Sequence, residues 1–327
     1  MPGRRPARPP PGEFELISAF TAALPLRGEG LALGVGDDAA VLRPPPGEDL
    51  VATVDAVVEG VHFDRRFTPA EVGWKALAVN LSDLAAMGAR PLWALVALAV
   101  PRGTPAPWLA GLARGLGACA RAHGLAVAGG NVTRAAERSI TVTVLGAVAR
   151  GRALTRGGAR EGDLLLVSGT LGGAALGLRP RAPAALVRRQ RRPIPRLALG
   201  RALVGVAHAA VDVSDGLAQD AGHLAARSRV RAVIEAARLP TSLAYRRAVE
   251  GGDALRPALA GGEDYELLVA VPPARLGAAR AAARAARTPL RLIGRVERGL
   301  GVRVLGEDGR ELPIPPGHDH LRGRASH

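Results

Sequence analysis

"REGDLLLVSGTLGGAALGL", Arg160 to Leu178, reads as a β-strand, a glycine-rich turn and a helix in immediate succession. Downstream, apolar or β-branched runs between turn signals predict strands at Ala209–Val213, Val230–Ile234, Tyr265–Val271 and Arg291–Val296, with helices between several of them. Alternation of this kind specifies an α/β domain. Upstream, strands are expected at Leu31–Val35, Leu50–Val57, Leu92–Val100 and Ile140–Ala149, and helices at Glu13–Leu24, Pro69–Met87 and Pro105–His123. The expected architecture is therefore α/β with mixed (α+β) sheets in two domains, 13–150 and 151–320, with a disordered arm at 1–12 and a tail at 321–327. Arg179–Pro195, rich in Arg and Pro, reads as a mobile excursion within the second domain. No short-period repeat is present.

A chain of 327 residues with 48% apolar content is long enough for two sizeable cores. Its longest apolar stretch, "PLWALVALAV" (Pro91–Val100), is too short to cross a bilayer as a helix. The N-terminus "MPGRRPARPPPG" carries charge but lacks the apolar segment of a secretory signal. A single cysteine, Cys119, excludes an intrachain disulfide and fits a reducing cytoplasm. The net charge of +15 raises the question of nucleic acid. Yet 43 of the 44 basic residues are arginines spread over both halves, Lys75 being the one lysine. The densest run, Arg179–Pro193, contains no aromatic residue on which a base would stack, and aromatics make up 3% of the chain. A nucleic-acid partner is disfavoured; phosphate binding by arginine stays open.

Four acidic places share one pattern, an apolar run followed by carboxylates and then a glycine or a helix. They are Asp37 and Asp38 in "LALGVGDDAAVL", Asp55 in "VATVDAVVEGVHF", Asp83 in "NLSDLAAMG", and Asp212 with Asp215 in "AVDVSDGLAQD". Open α/β sheets bind ligands where strand ends meet one crevice. Carboxylates gathered there repel one another unless cations neutralise them, and hard oxygen ligands suit Mg2+. A blander reading stands beside this one: Ser82-Asp83 and Ser214-Asp215 also suit helix N-caps, and Asp37-Asp38 a turn after Gly36.

Two glycine-rich segments have the composition to approach phosphates. "VAGGNVTR" (Val127–Arg134) offers Gly129 and Gly130 for close backbone approach and Asn131 as an oxygen ligand. "VSGTLGGAALGL" lacks the Lys-Ser/Thr pair of a Walker sequence and reads more simply as a tight turn into a helix. Arg156, followed by two glycines, is placed to put a guanidinium on a phosphate. Glu263 and Asp264 precede a strand and are either a charged loop or a site; His62 is either a substrate contact or a core histidine. No zinc spacing and no Gly-x-Ser-x-Gly elbow occurs.

Taken together, "GVGDDAAVL", "VDAVVEGVHF", "KALAVNLSDLAAMGARP", "AGGNVTR", "RALTRGGAREGD", "VDVSDGLAQDAGHLA" and "AGGEDYEL" resemble the thiamine-monophosphate kinases, from about Gly12 to His320. That family shares a two-domain fold with aminoimidazole ribonucleotide synthetase and selenophosphate synthetase; the last is disfavoured because no Cys or Lys stands near this N-terminus. The resemblance implies the two-domain aminoimidazole ribonucleotide synthetase-like fold, Mg2+- and ATP-dependent phosphorylation of thiamine monophosphate to the diphosphate, several Mg2+ ions, and a homodimer. By motif position it implies metal ligation by Asp38, Thr53, Asp55, Asp83, Asp212 and Asp215, with Val54 through its carbonyl and Asn131 through its amide oxygen. It places Gly130, Asn131, Arg156 and Ser214 toward ATP, and His62, Glu263 and His318 toward the thiamine phosphate. Three positions depart from the family pattern: Asn131 stands for a usual Asp, Val54 for a hydroxyl residue and His318 for a larger aromatic ring. No residue is expected to act as a general base, because the accepting phosphate is already anionic at neutral pH.

Overall fold

The computed structural model of the protein describes residue 18, residues 20–315 and residue 317. The chain divides into two compact units. One holds the described residues up to Arg43 with Val54–Leu77 and Leu92–Val144; the other holds Pro44–Thr53, Ala78–Pro91 and the residues from Leu145 onward.

A short hairpin, β1 (Leu31–Leu33) with β2 (Val41–Leu42), precedes a four-stranded sheet of β3 (Glu48–Val58), β4 (Arg90–Val100), β5 (Ala126–Arg134) and β6 (Ser139–Ala149). Its order is β3-β6-β4-β5, and β4 runs parallel to β5. Helix α1 (Pro69–Ala86) starts at a capping box: the Thr68 amide donates to Glu71 Oε2 at 2.8 Å and the Glu71 amide to Thr68 Oγ1 at 3.3 Å. Helix α2 (Ala106–His123) ends at Gly124, whose φ of 69° is a left-handed cap. Glycines at 73 and 115 would weaken isolated helices. Here they are required, because a Cβ at Gly73 would strike the Leu112 carbonyl and one at Gly115 the Ala70 carbonyl. The two helices therefore cross backbone to backbone.

The second sheet has the order β13-β12-β9-β11-β7-β10-β8. Its strands are β7 (Leu164–Ser168), β8 (Ala209–Val213), β9 (Arg231–Glu235), β10 (Glu266–Val271), β11 (Leu290–Glu297), β12 (Gly301–Leu305) and β13 (Glu311–Leu312). All neighbours pair antiparallel except β12 with β9. Every residue of β8 and of β10 is buried, so these strands are covered on both faces, which explains why they are apolar apart from Asp212 and Glu266. Leu217, Ala221 and Leu224 of helix α6 (Leu217–Ser228) join Val211, Val213 and Leu268 in one core.

The expected Arg-rich excursion, Arg179–Pro195, contains a helix, α4 (Ala184–Arg191), between irregular segments, and it is flanked by helices α3 (Gly173–Gly177) and α5 (Leu197–Leu203). Helix α4 buries Leu186 and Gln190, four residues apart on one face. Short helices α7 (Leu243–Ala248), α8 (Arg256–Ala260) and α9 (Leu276–Ala285) complete the described elements of this kind. Of the expected helix Glu13–Leu24, Ser18, Phe20 and Thr21 are helical; residues 13–17 and 19 lie outside the described residues, as do the arm, the tail and His318. Among the described residues no helix is long and apolar enough to cross a membrane.

Candidate active site

Strand β8 is apolar until Asp212, which is 3% exposed. A carboxylate loses hydration at such a position and needs compensation. Ser82 Oγ supplies part of it, donating to Asp212 Oδ2 at 2.8 Å. Asp83, the next residue of α1, accepts from Thr53 Oγ1 at 2.5 Å. The N-cap reading of Ser82-Asp83 is thereby replaced: both lie near the C-terminal end of α1, whose cap is Thr68. Burial pushes the Asp212 carboxyl well above the usual carboxylate range, and the Asp83 charge pushes it further, against the Ser82 hydrogen bond and the Arg156 guanidinium. Asp83 is raised by burial, opposed by Thr53 and Arg156. Two carboxylates that resist joint ionisation, each beside a hydroxyl, fit a hard divalent cation.

The loop after β8 is held from an unexpected side. Helix α6 begins after Gly216 with no side-chain cap from Ser214 or Asp215. Instead Asp220 Oδ2, one turn into the helix, accepts the amides of Ser214, Asp215 and Gly216 at 3.0, 3.1 and 3.1 Å. Burial, then the charge of Asp215, pushes the Asp220 carboxyl up to about 7. Asp215, Asp220 and His223 each place one ligand atom within 4.8 Å of the others, so the donor set around Asp215 also fits a cation. Arg156 reaches this region on a backbone tied by Ser228 Oγ, which donates to its carbonyl at 2.9 Å. A Cβ at Gly158, whose φ is 125°, would lie 2.6 Å from the His208 carbonyl, so a glycine after Arg156 is sterically required.

The "GGEDYEL" segment packs against that same loop. The Glu263 amide donates to the Ser214 carbonyl at 2.7 Å and the Tyr265 amide to the Val213 carbonyl at 2.8 Å. The contact is close enough that Cβ atoms at Gly216 and Gly262 would lie 2.9 Å from Ala260 and 2.7 Å from the Ser214 carbonyl. Glu263 and Tyr265 adopt φ of 68° and 50°, a conformation that non-glycine residues hold only where their surroundings impose it. Glu263 Oε2 accepts from Gln190 Nε2 at 2.6 Å. Asp264 accepts the amides of Gly172 and Ala174, with the Arg189 guanidinium at 3.6 Å. Glu266 accepts from Ser168 and receives both Arg196 Nε at 2.7 Å and Nη2 at 2.6 Å. Residues 261–265 thus form a loop leading into β10, in which Glu263 is half-buried and Asp264, like Glu266 after it, is buried.

In the other unit, Asp38 is exposed on the turn after Gly36, where the Asp38 amide donates to Asp37 Oδ1 at 2.8 Å. That local bond supports the turn reading and leaves the Asp38 carboxylate outward. Asp55 is half-buried and Val54 is 60% exposed on β3. Gly129, Gly130 and Asn131 lie within β5 and pair with β4 just beyond a register shift. A Cβ at Gly130 would strike the Val96 carbonyl, so strand pairing alone demands this glycine. Asn131 is exposed. His62 Nδ1 accepts the Val58 amide at 3.1 Å, which places the proton of the neutral ring on Nε2. Buried Lys75 donates to the His62 carbonyl at 2.9 Å.

One unit thus gathers Thr53, Asp83, Arg156, Asp212, Ser214, Asp215 and Glu263, while Asp38, Val54, Asp55, His62, Gly130 and Asn131 belong to the other. Sequence reasoning missed Ser82, Gln190 and Asp220. Asp220 stood in the quoted "VDVSDGLAQD", but nothing in the spacing shows that a carboxylate inside the helix would fold back on three amides.

The AIR synthase related protein N-terminal domain family matches residues 36–148, and its C-terminal domain family matches residues 160–306. The chain is 40% identical over 321 residues to the thiamine-monophosphate kinase of Escherichia coli K12, covering 95% of this chain and 98% of that one. Its fold is similar to the crystal structure of thiamine-monophosphate kinase from Stenotrophomonas maltophilia K279a, with TM-score 0.83 and 44% identity over 92% of this chain and 98% of that one. It is also similar to AaThiL complexed with AMPPCP and TMP, with TM-score 0.77 and 35% identity over 95% and 97% of the respective chains.

Proposed function

The chain belongs to the thiamine-monophosphate kinase family, and from that premise we propose that it is a kinase transferring the γ-phosphoryl group of ATP directly to thiamine monophosphate, with Mg2+, to give thiamine diphosphate and ADP. The observation that carries the reading is the pair of buried Asp212 and half-buried Asp83, each tied to a hydroxyl and both under the influence of Arg156.

The accepting phosphate oxygen is already anionic, so the barrier lies in bringing two polyanions into line. Arg156 lowers that repulsion by placing a delocalised cation beside the carboxylates. Asp83 and Asp212, with Thr53 and Asp215, would hold Mg2+, which on binding supplies charge neutralisation for phosphate oxygens. Asp38, Val54, Asp55 and Asn131 are assigned as further oxygen ligands. Gly130, Asn131, Arg156 and Ser214 are assigned to ATP binding, and His62, Glu263 and His318 to thiamine monophosphate. His62 suits its role because its Nε2–H is a donor for a phosphate oxygen. No side chain is assigned as general base.

A homodimer in the cytoplasm completes the proposal. Its support is β3, an edge strand that exposes Leu50 at 46% and Val54 at 60%, an apolar strip that a monomer would leave in water. The reaction is tested by separating thiamine species after incubation with ATP. Thiamine diphosphate formed from the monophosphate, and not from free thiamine, is expected; nucleotide hydrolysis that ignores the acceptor would refute the assignment.

A further inference from the structure

The glycine-rich loop after β7 and the Arg-rich helix α4 explain one another. A Cβ at Gly177 would strike the Leu186 carbonyl, and one at Gly173 would lie 2.9 Å from Arg189 Cδ and Nε. Gly169 is pressed against the Glu266 carboxylate. Gly173 and Gly177 of α3 thus admit α4, and Gly169 in the loop before α3 admits the Glu266 carboxylate. So docked, α4 spends Arg189 on the Thr170 carbonyl at 2.7 Å and on Glu266 at 3.2 Å. Its next residue, Gln190, is 2% exposed and donates to Glu263 at 2.6 Å.

We propose that Gln190 is the positioning residue for Glu263, setting where its carboxylate stands toward the thiamine moiety and so setting affinity for the acceptor rather than for ATP. The inference rests on the reading of Glu263 as a substrate contact. Its physical content is rigidity. Glu263 sits at a positive φ, its amide is held by Ser214, and a flexible side chain on that backbone would sample several rotamers. The hydrogen bond from a buried amide on a glycine-locked helix narrows that choice. Such preorganisation lowers the ordering cost of binding without adding a contact to the substrate.

The test uses the full-length enzyme, with wild-type thiamine diphosphate formation measured first; its absence would remove the proposed function and leave the Gln190 question to direct thiamine monophosphate binding. With turnover present, Gln190→Met keeps the side-chain length and deletes the donor. KM for thiamine monophosphate is expected to rise about tenfold, the order expected for losing one hydrogen bond to a charged group, while KM for ATP stays within about twofold. In the background of Glu263→Gln the same change should raise KM no further, because residues acting through one contact are not additive. Equal loss for both substrates, full additivity, or an unchanged acceptor KM would overturn the assignment. Should Gln190→Met fail to fold, the exchange Gln190→Glu with Glu263→Gln retains an amide-to-carboxylate bond; it should fold with a raised acceptor KM, and a wild-type KM would contradict the proposal.

Discussion

Asp264 shows how a single buried carboxyl reports on its surroundings. Burial holds it up at about 6, against the opposing pull of Arg189 and the amides of Gly172 and Ala174. The folded protein therefore keeps this proton in a pH range where the unfolded chain has released it. The resulting stability is complete below about pH 4 and is lost as pH rises through about 6. Urea unfolding of wild type and Asp264→Asn should show the difference between them moving against the wild type by on the order of 2–3 kcal/mol from pH 4 to pH 7. A difference constant with pH would mean that the carboxyl is ionised throughout. Ser82 offers a second test. Ser82→Ala removes a hydroxyl donated to Asp212, and turnover should fall about tenfold or more, measured as initial rate at saturating substrates. Asp212 was legible as a candidate because an acid ended an apolar run. Ser82 was not, since a serine beside an aspartate has the same appearance at a helix start as inside one.

At the scale of elements, glycine position decides which helices touch. Gly177→Ala places a methyl against the Leu186 carbonyl and is expected to cost on the order of 1–3 kcal/mol by forcing α3 and α4 apart. Gly277→Ala, in α9 with open space around it, is expected to stabilise by up to about 1 kcal/mol. Denaturant midpoints of the two variants should shift in opposite directions; parallel shifts would contradict the packing described. The strands of the second sheet were readable because both-face burial writes continuous apolar runs, and β8 coincides with its expected bounds, Ala209–Val213. β12 and β13 escaped notice: β13 is two residues long and β12 interleaves Arg303 with valines. α4 was read as mobile because its arginines look solvated in a linear sequence. What orders the helix is the set of distant carboxylates at 264 and 266, and no local pattern contains them. Nor did "AGGN" show that its glycines belong to a strand, since close strand pairing and close phosphate approach both demand the same residue.

For the molecule as a whole, a formal charge of +15 is a poor guide to a partner. Arg189 and Arg196 are consumed by internal carboxylates, and Arg138 is paired with Glu59 at 2.9 Å while lying 4.7 Å from the Trp108 ring centre. Leu50→Lys, at the exposed edge strand, should shift the proposed dimer toward monomer in sedimentation, whereas an unchanged mass would place the interface elsewhere. The central claim is that the carboxylate pair of Asp83 and Asp212 holds the cation on which phosphoryl transfer to thiamine monophosphate depends. The most direct measurement is thiamine diphosphate formation as a function of Mg2+ for wild type and Asp212→Asn, with thermal unfolding of both in parallel. Expected are product that requires Mg2+ in the wild type, and a loss of about a hundredfold or more in a variant that unfolds no earlier than wild type without the metal. Full wild-type turnover in a chelator, or an Asp212→Asn enzyme as fast as the parent, would contradict the account.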